Sequence, residues 1–315
     1  MEMKPTMHVS VAIVGFRNSG DVVNCLEALA RSTYSNFGVV ICENGGAAAF
    51  AELTSRVPVI LPRGQKVRAF QAPKNLGFAG GVNFCLRESS AAGAWWLLNP
   101  DTRPDPNALE GMLKRLNVGD CEAVGSTVHL DDGRVQSHGG RWQPWLARAV
   151  SIGRGTPRER AVNREAIERN QNYLNGASFL VSRRFVEAVG PMREDYFLYC
   201  EEVEWCLRGA AKAMRLGYAP DARVVHEQGT TTGAGEDFAR RPRMPVYLGE
   251  RNRILLTRDC YPYRLPIAAA AALGRLLLSA ARYRAWRQFG YGLSGWMAGL
   301  LNRRNLPEWL KTILS

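Results

Sequence analysis

Residues 95–101 read Trp95-Trp96-Leu97-Leu98-Asn99-Pro100-Asp101, and Thr102, Arg103, Pro104 and Asp105 follow. Four large apolar residues run unbroken into Asn-Pro-Asp. A short apolar run bounded by turn residues fits a strand buried on both faces. The prolines stop it, so a lone carboxylate is delivered to the end of a buried strand. Either Asp101 belongs to a ligand-binding edge, or Asn-Pro-Asp is a turn in which Asp101 caps the next helix.

The flanking sequence repeats this design. Val9–Val14 and Val39–Cys42 read as strands with the polar tips Arg17-Asn18 and Glu43-Asn44. Residues 67–71 form a third strand before Pro73-Lys74-Asn75, and residues 77–90 look helical after a glycine-rich start. A helix is expected over 21–30 and another over 106–116. Strands with polar tips alternating with helices indicate a doubly wound, parallel α/β sheet, whose ligands bind at the carboxyl ends of the strands. The tips at 17–18, 43–44, 75 and 99–101 should meet in one crevice.

Beyond residue 120 the pattern changes. Residues 123–137 suggest a hairpin about Asp131-Asp132-Gly133, and 141–172 read as an Arg-rich loop with little regular structure. Residues 176–182 form a strand. A helix opens at Glu201, with Val203, Cys206, Leu207, Ala210 and Met214 on one face, and Gly217 closes it. Residues 223–226 form the last strand. The Gly- and Thr-rich stretch 227–245 is expected to be a mobile lid, and from 246 onward the chain reads as helices with Arg on one side.

The 315 residues, 46% of them hydrophobic, suffice for one large domain or a domain with an appendage. No apolar stretch of about 18 residues is free of charge, so no membrane span is expected. The N-terminus lacks the apolar core of a signal peptide. Seven scattered cysteines without Cys-x-x-Cys spacing read as reduced core thiols in a cytosolic protein. The net charge of +12 resides in the Arg-rich stretches 141–184 and 240–304. That asymmetry points to a membrane surface or a phosphorylated ligand. Nucleic acid is disfavoured, because no reading motif or aromatic platform accompanies the charge.

Four groups carry candidate chemistry. Asn99 and Asp101 share a strand-end face, and one such carboxylate suffices for a divalent cation if a diphosphate supplies further oxygens. Asn75-Leu76-Gly77-Phe78-Ala79-Gly80-Gly81-Val82-Asn83 offers a helix N-terminus to an anion, or merely close helix–strand packing. It is neither a Walker loop nor a dinucleotide fingerprint. Glu201, Glu202 and Glu204 crowd one helical turn, where they serve the helix dipole or provide a general base of raised pKa. His226 ends a strand and could complete a metal site.

Together these segments resemble the inverting family 2 glycosyltransferases of the GT-A fold, and more closely the bacterial rhamnosyltransferase-like members that build polysaccharide on a lipid carrier. The matching pieces are VAIVGFRN (11–18), VVICENGG (39–46), NLGFAGGVN (75–83), LLNPD (97–101), GASFLVSRRFVEAVG (176–190), FLYCEEVEWCLR (197–208) and VVHEQGTTTG (224–233). The resemblance implies a mostly parallel central sheet flanked by helices over residues 1–245, and a basic amphipathic helical region over 246–315. It implies that Arg17, Glu43, Asn75, Gly77, Asn83, Asn99 and Asp101 bind a nucleotide-sugar donor, either deoxythymidine-diphosphate rhamnose or a uridine-diphosphate hexose. Asp101 and His226 would hold Mg²⁺ or Mn²⁺. Glu202, with Glu201 as the fallback, would be the base acting on a hydroxyl of a lipid-linked saccharide at the inner face of the cell membrane. Two departures stand out: Asn99 replaces the first Asp of the family's metal motif, and Glu202 replaces the customary Asp. They leave a non-catalytic nucleotide-sugar or glycan-binding protein as the alternative.

Overall fold

A computed structural model describes residues 7–227, 233 and 237–314. The first part alternates as anticipated: β1 (Val9–Gly15), α1 (Ser19–Ala30), β2 (Phe37–Glu43), α2 (Gly46–Arg56), β3 (Val67–Gln71), α3 (Gly77–Glu88) and β4 (Ala94–Leu98). Helix α2 was not expected. Then follow β5 (Thr102–Pro104), α4 (Ala108–Leu116), and a hairpin of β6 (Ala123–His129) and β7 (Val135–Ser137). Asp101 therefore caps no helix: β5 comes next, and Asn107 occupies the N-cap position of α4.

The stretch 141–172 is more regular than its composition suggested. It holds the hairpin of β8 (Gly140–Gln143) and β9 (Arg148–Ser151), then α5 (Arg164–Asn170). Next come β10 (Ser178–Ser182), α6 (Arg183–Val189), α7 (Glu201–Ala211) and β11 (Leu216–His226). Helix α7 thus ends before Gly217, which lies inside β11. Strand β11 is longer than expected and carries a bulge between Ala219 and Arg223.

The sheet runs β3-β2-β1-β4-β10-β6-β11-β5, with β7 beside β6. Strands β1–β4, β6 and β11 point one way, and β5, β7 and β10 oppose them. The sheet is mostly parallel, as expected. β4 lies between β1 and β10 near its middle, which explains its unbroken apolar sequence. Trp96 and Leu98 pack with Val22, Leu26 and Met112 on one face, while Trp95 and Leu97 pack with Val82, Phe179 and Trp205 on the other. Helices cover both faces, as a parallel sheet requires. All seven cysteines are free thiols.

The C-terminal part comprises α8 (Arg243–Cys260), α9 (Leu265–Tyr283), α10 (Trp286–Leu300) and α11 (Glu308–Leu314). The boundary expected at 245/246 falls inside α8. The Arg residues do not line one outer side, because Arg251 is fully buried and Arg275 is turned onto the carbonyls of Leu146 and Ala147. The segment 262–283 is also long and apolar enough to cross a membrane by length and composition, against expectation. Most of the expected lid, residues 228–232 and 234–236, lies outside the described residues.

Trp96 donates its indole N–H to Ser178 Oγ across the buried β4–β10 pair at 2.9 Å. Ser178→Ala leaves that donor unsatisfied and should cost about 1–3 kcal/mol in urea denaturation.

Candidate active site

The carboxyl ends of the strands surround a cavity of about 390 Å³. Asn75, Gly77, Asn99, Asp101, Glu201, Glu202 and His226 all line it, although they lie up to 151 positions apart in sequence (226 − 75 = 151). Three other anticipated residues do not. Arg17 is exposed at the tip of β1 and reaches toward the carbonyl of Gly45 at 3.4 Å. Glu43 is 1% exposed and accepts from the backbone N–H groups of Arg17 (3.0 Å) and Gly45 (2.7 Å), tying the tips of β1 and β2 together. Its second oxygen has no hydrogen-bond partner. Asn83 is occupied elsewhere: it donates to Met192 O and Glu194 Oε1 and accepts from Met192 N, each at 2.9 Å.

The glycine-rich start of α3 is explained by packing. Gly77 has φ of +69°, and a Cβ there would lie 2.3 Å from the carbonyl oxygen of Phe197. At Gly81 a Cβ would lie 2.5 Å from Val14. The backbone N–H groups of Leu76, Gly77 and Phe78 donate to Asn44 Oδ1, Asn75 Oδ1 and Phe197 O at 2.8–3.1 Å. Those amides are therefore committed internally rather than offered to an anion.

At the end of β11, His226 Nε2 lies 3.3 Å from Asp101 Oδ1. Its Nδ1 lies 2.8 Å from Gln136 Oε1, an acceptor, so Nδ1 carries a proton. His226 Nε2 and Asp101 Oδ1, an imidazole nitrogen and a carboxylate oxygen, thus face each other across the cavity, and both are donor types that a divalent cation accepts. These two side chains fit a divalent metal, with Gln136 orienting the imidazole from behind. No group of three or more His, Cys, Asp or Glu residues that could hold a metal occurs among the described residues. Further ligands would have to come from a bound molecule or water. The sequence placed Gln136 on a hairpin strand but gave it no role, because nothing in the sequence pairs it with His226, 90 positions away.

Glu201 and Glu202 open α7. Burial pushes the Glu202 carboxyl up to about 7. Burial, reinforced by the charge of Glu202, holds Glu201 well above the ordinary carboxylate range. Glu201 is 3% exposed, and its Oε2 has no hydrogen-bond partner. Gly176 packs beside the stem of Glu202, where a Cβ would lie an ordinary 3.5 Å from Glu202 Cγ.

The turn feeding α7 is unusual. Phe197, Tyr199 and Cys200 all have positive φ, at 68°, 74° and 70°. Each such residue costs on the order of 1–3 kcal/mol unless its surroundings enforce it. Helix α8 supplies the enforcement. Asn252, fully buried, donates to the carbonyls of Tyr196, Leu198 and Tyr199 at 2.9, 2.7 and 2.9 Å. Arg251 donates to Asp195 O and Tyr196 O at 3.4 and 2.9 Å, to Arg304 O at 3.2 Å, and to Asn252 Oδ1 at 2.8 Å. Asp195 and Asp259 pair with Arg193 and Arg304 alongside. Nothing in Glu250-Arg251-Asn252-Arg253 marks the Arg and the Asn as buried.

This is the architecture of a GT-A glycosyltransferase. A mannosyltransferase from Pyrobaculum calidifontis, solved with GDP-Man and Mn²⁺, superimposes with a TM-score of 0.56 at 15% identity, covering 95% of this chain and 88% of the other. S. aureus TarS 1-349 with UDP-GlcNAc gives 0.56 at 12% identity, covering 95% and 83%. Residues 5–243 match the family described as glycosyltransferase like family 2, and the chain belongs to that family. It is 26% identical over 250 residues to N-acetylglucosaminyl-diphospho-decaprenol L-rhamnosyltransferase of Mycobacterium tuberculosis, spanning 72% of this chain and 79% of the relative. A low-salt glycan biosynthesis hexosyltransferase of Haloferax volcanii is 19% identical over 256 residues, spanning 80% and 76%. The protein is a glycosyltransferase.

Asn252→Ala removes the donors that hold the carbonyls of Tyr196, Leu198 and Tyr199. Turnover should fall at least about tenfold while the donor KM changes little, because the acids shift relative to the substrate. Steady-state kinetics separates the two constants.

Proposed function

We propose that the protein transfers rhamnose, with inversion, from a nucleotide diphosphate to a hydroxyl of a lipid-linked saccharide. We further propose that it does so with a divalent cation at a membrane surface. The observation that carries this is the shared cavity, which brings together an Asp–His pair with donor atoms suited to a divalent cation and an acid of raised pKa. The Mycobacterium relative, named for transfer of L-rhamnose to a decaprenol-linked acceptor, supports the sugar and the acceptor class. The Mn²⁺ in the Pyrobaculum structure supports the metal.

In this scheme Asp101 and His226 hold the cation, which when bound neutralises charge on the departing diphosphate. Asn75 and Asn99 offer amides to the donor. Glu43 supports this end of the cavity from beneath by tying the tips of β1 and β2 together. Glu202 takes the proton of the attacking hydroxyl. A single base acting opposite the leaving group gives inversion without a covalent enzyme intermediate. A pKa of about 7 balances availability of the ionised form against basicity.

Thermal-shift measurements with deoxythymidine-diphosphate rhamnose and uridine-diphosphate hexoses, with and without Mn²⁺ or Mg²⁺, test the donor. The rhamnose donor with metal should raise the melting temperature most, and Asp101→Asn should abolish the metal-dependent part. Equal shifts with and without metal would remove the cation from the scheme.

Because the base must be ionised, turnover should fall about tenfold per pH unit below about pH 7 and level off above it. Glu202→Gln should keep the thermal shift but lose about 10²–10⁴-fold in turnover. A flat pH–rate profile would reassign the base.

A further inference from the structure

Helix α9 packs an inner stripe, Ala268, Ala269, Ala272, Leu276 and Ala280, into the protein. Its outward stripe is apolar and uncharged. Tyr263, just before the helix, is 97% exposed, Ile267 58% and Leu278 73%, with Ala270, Gly274 and Ala281 between or beyond them. The helix has the length and hydropathy of a membrane span, yet its inner side is held by protein along its whole length. Such an element cannot thread a bilayer without unpacking. It suits a bilayer lying along its flank.

The hairpin β8–β9, far away in sequence, is fixed to the edge of that stripe. Arg264 and Arg275 lie three turns apart and hence on one line along the helix. Arg264 stacks over the Trp145 ring at 4.8 Å, and Arg275 donates to Leu146 O at 2.8 Å and Ala147 O at 3.4 Å. Trp145 and Leu146 are nonetheless 49% and 42% exposed. The root of the hairpin reaches the active site: Gly140 bridges Tyr173, and Trp142 N donates to Asn172 Oδ1 at 2.7 Å. Asn175 and Gly176, a few residues on, line the cavity beside Glu202.

We infer that the outward stripe of α9 and the Trp145–Leu146 tip together form one docking surface for an anionic lipid bilayer. This rests on the lipid-linked acceptor proposed above and adds to it a second contact, built into the catalytic unit itself. Two features select a bilayer over a protein partner. Aromatic residues border the apolar stripe, Trp145 on one edge and Tyr263 and Tyr283 at its ends, as at a membrane interface. Exposed Arg141, Arg148, Arg282, Arg284 and Arg287 surround it with positive charge suited to anionic headgroups. A helix alone would permit rotation about its axis. A second contact beside it fixes the orientation, so that the cavity wall at Gly176 and Glu202 is held at a set height above the lipid.

Co-sedimentation of the full chain with vesicles of phosphatidylglycerol and phosphatidylcholine tests this. The wild-type protein should bind, and should bind pure phosphatidylcholine vesicles much less. Leu278→Glu and Trp145→Glu should each lower the partition coefficient roughly tenfold. Both changes are on exposed side chains, and unchanged melting temperatures will confirm that each variant folds. If Leu278→Glu releases the protein and Trp145→Glu does not, the hairpin is no part of the surface and the inference fails, while membrane association stands. If the wild-type protein ignores vesicles, membrane association itself fails. A dimer that Leu278→Glu splits, without vesicle binding, would reassign the face to contact between copies.

Discussion

The site depends on one constraint: the turn 197–200 must be held against its own backbone preference. Three residues with side chains sit in the left-handed region within four positions. Left alone, that turn would relax, and α7 would swing away with both of its leading acids. Asn252 and Arg251 prevent this by gathering the carbonyls of residues 195, 196, 198 and 199 onto one stretch of α8. Gly77 completes the vice from the other side, because only a glycine lets α3 approach the carbonyl of Phe197. A buried guanidinium whose donors meet only uncharged oxygens is costly. Here its cost is tied to the placement of two acids, and the neighbouring ion pairs of Asp195 and Asp259 keep the region cohesive.

Within the cavity, electrostatics differ from wall to wall. The Asp101–His226 pair brings a carboxylate oxygen within 3.3 Å of an imidazole nitrogen. Glu201 and Glu202, by contrast, retain protons more readily than exposed acids because they are poorly hydrated. The first pair lies where β4 and β11 end, and the second where α7 begins.

Much of this was legible in the sequence, for identifiable reasons. The run 95–98 marked the central strand because it is buried on both faces. Strand-tip residues such as Asn75, Asn99, Asp101 and His226 were found because a parallel sheet sends all its carboxyl ends to one edge. Other features were not legible. Gly77 and Gly81 look like an anion cradle in sequence, yet they make room for Phe197 and Val14. Asn83 looked like a donor contact but fastens Met192 and Glu194. Short strands such as β8 and β9 give no usable period, which hid the hairpin beneath Trp145, and β7 was legible although the contact of its Gln136 with His226 was not. The Arg residues of α8 and α9 were assigned to a surface, and composition carries no information that Arg251 faces inward.

The embrace of the 195–200 turn by α8 also bears on how such enzymes could be recombined. The region matching the family ends at residue 243, just before the residues that set the geometry of the acids. A chimera joining one relative's sheet to another's tail at that seam would unite a bent turn with a foreign splint. Grafts that carry 194–200 and 243–304 from the same parent would preserve the fit, so the two stretches form one heritable module despite their separation along the chain.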